Sequence, residues 1–136
     1  MKRVLVGGCF DLIHYGHIVF LKEARKQGDY LIVALESDDN VKKYKGENRP
    51  VHKQSERAEM LRSLRMVDEV IELPPMNSDK EYFDLVKHVL PNVIAITKDD
   101  PQTENKKKQA SLINAQTVEV THLVRPYSTT LLINEL

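Results

Sequence analysis

The stretch that most restricts the fold runs from Arg3 to Lys26. An apolar run, Val4-Leu5-Val6, leads through Gly7-Gly8-Cys9-Phe10-Asp11-Leu12-Ile13-His14-Tyr15-Gly16-His17 into Ile18, Leu21, Ala24 and Arg25, which have helical spacing. Such an order makes a strand, a tight turn and a helix. It puts two histidines at the carboxyl end of the first strand, where open parallel sheets bind ligands. Gly7 and Gly8 let backbone approach a ligand, and Gly16 removes a side chain where the helix begins. A helix start offers unpaired N–H groups and the positive end of a dipole to an anion. Two imidazoles beside it suit phosphate. They suit zinc less well, because zinc needs three or four ligands. Cys9 is the only cysteine, and His52, His88 and His122 lack ligand spacing.

The remaining chain repeats the alternation of apolar runs and helical patterns that marks βαβ units. Strands are predicted at Arg3–Gly7, Tyr30–Leu35, Glu69–Leu73, Val93–Thr97 and Thr117–Val120. Helices are predicted at His17–Lys26, Ser55–Leu64, Asp79–Leu90, Glu104–Asn114 and Thr129–Leu136. The expected fold is α/β: a Rossmann-like, doubly wound, five-stranded parallel sheet with helices on both faces. Asn77-Ser78 should cap the third helix and Pro91 end it. Glu36–Val51 is charged, with little periodicity, and reads as a loop at the ligand edge.

The 136 residues suffice for one domain with a two-sided core. Lysine and arginine number 20, aspartate and glutamate 20, for zero formal net charge. That balance argues against a general nucleic-acid or membrane surface. No run approaches the ~20 apolar residues of a membrane span. The first strand begins too early for a signal peptide, and one unpaired cysteine suits a reducing, cytoplasmic setting.

Gly8-Cys9-Phe10-Asp11-Leu12-Ile13-His14-Tyr15-Gly16-His17 resembles the GxFDxxHxGH signature of the cytidylyltransferase-like nucleotidylyltransferases. The likeness continues in order through Gly28–Ala34, Lys45-Gly46, Ser55-Glu56-Arg57, Val67-Asp68-Glu69-Val70 and Ser128-Thr129-Thr130. It implies that residues 1–136 form one nucleotidylyltransferase domain. The implied reaction is attack of a substrate phosphate on the α-phosphorus of CTP or ATP, with pyrophosphate leaving. A phosphate nucleophile needs no general base, since its second pKa is about 6. The task is to position two anions and neutralise the leaving group.

By the resemblance, His14 and His17 contact the triphosphate as N–H donors. Lys45 closes on the α- or acceptor phosphate, and Arg57 clamps an anion although Glu56 could instead pair with it. Arg125 precedes Ser128 and Thr129, which hold phosphate oxygens at a helix start, or simply cap it. Gly8, Cys9, Phe10, Asp11, Gly16 and Asp99 complete the nucleotide site. Asp11 either supports the turn or helps order the metal region, and Phe10 and Tyr15 read as packing residues. Mg2+ is expected with the triphosphate, held by phosphate oxygens and water rather than by protein ligands.

Lys98 stands where the family usually has glycine, and Lys106-Lys107-Lys108 follow as either an exposed helix face or an acceptor contact. The spacing of Lys45-Gly46 to Arg49-Pro50-Val51 is similar to that in the nucleotidylyl domain of ADP-heptose synthases. This favours a sugar- or polyol-phosphate acceptor, heptose 1-phosphate- or glycerol 3-phosphate-like. The alternatives are an FMN adenylyltransferase and a non-catalytic nucleotide sensor. A class I aminoacyl-tRNA synthetase half is disfavoured by the neutral surface. Relatives often pair through the region matching Leu61–Val70, so a homodimer is expected, unless Leu64, Met66 and Val67 fill this chain's own core.

Overall fold

The computed structural model describes residues 1–121. In chain order the elements are β1 (Arg3–Gly8), α1 (Tyr15–Arg25), β2 (Tyr30–Leu35), α2 (Asp38–Lys45), α3 (Gln54–Arg62), β3 (Glu69–Glu72), α4 (Asp79–Val89), β4 (Val93–Thr97), α5 (Thr103–Leu112) and β5 (Gln116–Thr121). The five strands are parallel, in the order β3-β2-β1-β4-β5. Strand order reverses between β1 and β4, so their carboxyl ends flank the crevice where such sheets take ligands.

Side chains alternate between two cores, as the period of two in a strand requires. Val4, Val6, Leu31, Val33, Leu35, Val93 and Ala95 face Leu21 and Ala24 of α1 and Ala58 and Leu61 of α3. Leu5, Ile32, Ala34, Ile94 and Ile96 face Val86 and Val89 of α4 and Ala110 of α5. Continuous apolar strands are thus explained by burial on both faces. Val67 is buried, and Leu64 and Met66 pack against the first core. The apolar residues expected at a dimer interface therefore pack within this chain.

The expected loop after β2 is not what the structure shows. Glu36–Val51 is not a loop throughout, because Asp38–Lys45 is helical. Ser37 caps α2, its Oγ accepting from the Asn40 N–H at 3.1 Å. Asp38 and Asp39 occupy the first turn, and Lys42, Lys43 and Lys45 the last, matching the helix dipole at both ends. Its buried face is only Asn40 and Val41, so hydrophobic periodicity could not reveal it. Asn40 also holds the segment after β3, donating to Met76 O and accepting from Met76 N–H, each at 2.8 Å. Elsewhere the expected caps are present. Ser78 Oγ accepts from the Glu81 N–H, and α4 ends at Leu90 in the left-handed region, one residue before Pro91.

Candidate active site

Helix α1 begins at Tyr15, two residues earlier than the spacing predicts, because His14 is itself the cap. His14 Nδ1 accepts from the Gly16 N–H (3.0 Å), and His17 Nδ1 accepts from the His14 N–H (3.2 Å). A backbone N–H can only donate, so both Nδ1 atoms are unprotonated and each neutral ring carries its proton on Nε2. The rings stack with centroids 3.9 Å apart. Burial, then His14 and Lys45, push His17 down to about 3, overcoming the opposing Asp11 charge. Burial also lowers His14. Near neutral pH the pair is two uncharged Nε2–H donors at a helix start.

The turn holding them is strained. Phe10 and Leu12 have φ of 44° and 56°, a left-handed backbone costing roughly 1–2 kcal/mol per non-glycine residue. Two anchors hold it there. The Phe10 ring is buried in the first core and lies 5.3 Å from the His17 ring. Asp11, only 1% exposed, accepts from Arg49 Nε (2.8 Å), Val51 N–H (2.7 Å) and His52 N–H (3.0 Å). Burial alone would raise the Asp11 carboxyl. The His52 N–H, the Arg49 guanidinium and the Val51 N–H outweigh it and hold the group below its ordinary value.

These partners bear on the two roles considered for Asp11. Both its oxygens accept hydrogen bonds that brace the turn against residues 49–52, which supports the turn-holding role. Among the described residues no group of three or more His, Cys, Asp or Glu could hold a metal.

Gly8 is required for a reason other than ligand approach. A Cβ there would lie 2.8 Å from Phe10 Cε2 and within 3.3 Å of two further ring carbons. At Gly7 the same atom would meet only Ala34 O, at an ordinary 3.8 Å. Gly8→Ala is therefore expected to displace the Phe10 ring and cost about 1–3 kcal/mol, whereas Gly7→Ala is sterically permitted. Comparing their denaturant midpoints checks this. The nucleotide-binding part assigned to Phe10 passes, for its ring, to packing. Tyr15, read as packing, is 63% exposed instead.

Arg57 is corrected in the same way. The sequence offers it as an anion clamp, yet its side chain is fully buried. It donates to His52 O (2.9 Å), Cys9 O (2.7 Å) and Asp38 Oδ1 (2.7 Å). It thus ties α3 to the β1 turn and to the start of α2, while Glu56 accepts from the Lys53 N–H and not from Arg57. Cys9 is half-buried, and burial raises its thiol against the pull of Lys45, so it stays a thiol. Lys45 is the exposed last residue of α2, followed by Gly46 at φ 113°, and its charge is felt at His17 and Cys9.

Of the charged residues after β4, Lys106 turns inward to Asp100 (2.6 Å), whereas Lys98, Asp99, Lys107 and Lys108 are exposed. Arg125, Ser128, Thr129, His122 and the helix expected at Thr129–Leu136 lie outside the described residues.

Sequence reasoning missed a polar group on the opposite side of the sheet. The Glu36 N–H bonds Gly8 O at 3.0 Å, which puts it beside the β1 end. Its buried carboxylate accepts from the Tyr82 hydroxyl (2.9 and 3.0 Å to its two oxygens), and Tyr44 lies 3.1 Å from Tyr82. Burial raises Glu36 against the opposing Tyr82 hydrogen bond and the Lys106 and Arg57 charges. The one available signal was the placement of an acidic residue at the carboxyl end of a strand neighbouring β1.

Protonation gives a direct check on the paired imidazoles. Histidine 15N shifts are expected to show the Nε2–H tautomer for both rings at pH 7, with His17 still neutral near pH 4. The fold then loses stability as pH falls. His17 takes up a proton more readily unfolded, near 6.5, than folded, near 3, so its contribution is complete above about 6.5 and is lost as pH falls towards 3. Asp11, lowered from 3.8, works in the same direction over a more acidic interval.

Comparison with known proteins agrees with this architecture. Residues 5–134 match the cytidylyltransferase-like family model. The chain is 41% identical over 126 residues to the FAD synthase of Thermococcus kodakarensis, covering 90% of this chain and 82% of that protein. It is 43% identical over 93 residues to the bifunctional protein HldE of Aliarcobacter butzleri, covering 68% of this chain but spanning only 19% of that protein's length. Among solved structures, a lipopolysaccharide core biosynthesis protein from Thermoplasma volcanium superposes with a TM-score of 0.69 at 27% identity, over 91% of this chain and 97% of that one. A pantoate-beta-alanine ligase from Francisella tularensis shares the fold alone, with a TM-score of 0.63 at 17% identity over 92% of this chain and 60% of that one. With a parallel five-stranded sheet and a histidine-capped turn at its switch point, the chain belongs to the cytidylyltransferase-like family.

Proposed function

We propose that the protein transfers adenylate from ATP, supplied with Mg2+, to a phosphorylated acceptor with a hydroxylated carbon skeleton, releasing pyrophosphate. The observation that carries the reaction is the pair of neutral Nε2–H donors at the start of α1. An acceptor phosphate oxygen attacks the α-phosphorus, and the bond from that phosphorus to the β-phosphate bridging oxygen breaks. His14 and His17 donate to phosphate oxygens as charge accumulates on the leaving group, and neither needs to move a proton. Lys45 supplies positive charge from the end of α2. Arg125, Ser128 and Thr129 are proposed to hold the outer phosphates, and Gly8, Cys9, Gly16 and Asp99 to line the nucleotide site. Arg57 acts by bracing that site. Mg2+ is part of the substrate, carried on phosphate oxygens.

ATP is preferred to CTP because the FAD synthase, by its name, makes an adenine-containing product. The similarity of the loop from Lys45 to Val51 to ADP-heptose synthases supports a sugar- or polyol-phosphate acceptor. A second reading, with FMN as acceptor, is favoured by 41% identity across most of an archaeal FAD synthase. No described helix is long and apolar enough to cross a membrane, and a cytoplasmic setting is proposed. The partners are small molecules, and a homodimer remains part of this proposal only by analogy with relatives.

The test follows pyrophosphate release with each of four nucleoside triphosphates against sugar 1-phosphates, glycerol 3-phosphate and FMN. Release with ATP and a hydroxylated phosphate is expected. Preference for CTP overturns the base assignment. Tight triphosphate binding with no release for any acceptor overturns the enzymatic reading in favour of a sensor.

A further inference from the structure

Glu36 is an expensive residue to place where it lies. It is 8% exposed, at the carboxyl end of β2 beside Gly8. A carboxylate can accept about four hydrogen bonds. Among the described residues its side chain receives one hydroxyl proton, from Tyr82, shared between its two oxygens. It forms no ion pair among those residues, and it holds no loop. Asp11 makes the contrast, since its three donors brace two segments. An under-supplied buried acceptor is costly unless something else donates to it.

Its setting narrows what that donor is. Glu36 projects to the side of the sheet covered by α4 and α5, in line with Ile32 and Ala34, whereas His14 and His17 belong to α1 on the other side. The two groups therefore flank the β1 end from opposite faces. Tyr82 donates its hydroxyl hydrogen bond to Glu36, which leaves the half-exposed Tyr44 to donate to Tyr82. A row of hydroxyls thus runs from the surface to the buried carboxylate. The positive charges of Lys106 and Arg57 already act on Glu36, so a cationic ligand group is not called for. An anionic group would be repelled. Neutral hydroxyls fit both conditions.

We infer that Glu36, held by Tyr82, is a specificity-determining residue that accepts hydrogen bonds from hydroxyl groups of the acceptor's carbon chain or ring. The inference rests on the transferase reading above, and it names the acceptor's chemical class without choosing between a sugar phosphate and FMN, whose ribityl chain carries hydroxyls beside its phosphate.

The experiment measures KM for acceptor and for ATP separately in wild type, Glu36→Gln and Tyr82→Phe, using the acceptor that supports most pyrophosphate release and a deoxy analogue of it. Calorimetric binding of the same acceptors is measured in parallel. Acceptor KM should rise about tenfold or more in Glu36→Gln, with KM for ATP within twofold of wild type. The penalty for the deoxy analogue should shrink in the variant. Tyr82→Phe keeps the ring, removes the hydroxyl and should raise acceptor KM in the same direction; it carries the test if Glu36→Gln fails to fold. Lower melting temperatures with both KM values unchanged would make Glu36 a structural tie and overturn the inference, as would equal rises in both. A wild type that binds hydroxylated phosphates yet releases no pyrophosphate sinks the transferase reading alone, and the Glu36 contact is then decided by binding. A wild type that binds none of them sinks the contact.

Discussion

His17→Ala is expected to lower kcat/KM by about two to three orders of magnitude, the usual loss for one fixed donor to a developing anion, while leaving most of the fold in place. His14→Ala should do the same, with a further cost to the start of α1, because the His14 ring is also the helix cap. The two losses should combine to less than their product. The rings stack at 3.9 Å, and the His17 ring orients the His14 backbone, so removing one disturbs the other. His17→Asn, whose amide can present an N–H, should recover part of the rate. Steady-state kinetics with far-UV circular dichroism as a folding control checks this, and wild-type turnover in both alanine variants would remove the mechanism. The pH profile is a companion test. With both donors already neutral, activity should fall only as the acceptor phosphate dianion takes up a proton, near its second pKa of about 6, and not through a histidine titration above it.

The second large effect is on stability. Asp11→Ala is expected to destabilise the fold by about 3–5 kcal/mol, because it removes the buried carboxylate to which the Arg49 guanidinium donates and takes the same acceptor from two backbone N–H groups. In a chain of this size the melting temperature should drop by roughly ten degrees or more. Asp11→Asn should lie between the two, since it retains an acceptor oxygen without the charge. A melting curve for Asp11→Ala that overlays wild type would show that the buried pair contributes nothing.

The sheet was legible because each strand is a dense apolar run between turn signals, and the strand limits expected from those runs agree closely with the structure. The turn was legible because Gly8, Asp11, His14, Gly16 and His17 are neighbours in sequence. What escaped were contacts across long separations and a helix without an apolar stripe. Asp11 meets residues 38 to 41 positions away, and nothing local distinguishes a bracing carboxylate from a ligating one. Arg57 shows the same limit, since a guanidinium near an anion site looks identical in sequence whether it faces the ligand or the backbone beneath. α2 escaped because its stability comes from capping and end charges, with Val41 as its single buried apolar residue. Glu36 and Tyr82 lie on different elements, and only the folded sheet brings them together.

The bracing of the histidine turn by residues 49–52 also governs how this enzyme could be re-engineered. A chimera that imports the segment between α2 and α3 from a relative, to change what the enzyme modifies, would also replace Arg49 and the Val51 and His52 amides that Asp11 grips. Such a graft should succeed only when the donor segment presents an equivalent guanidinium and backbone path, so transplanted selectivity and transplanted turnover are inherited together or lost together.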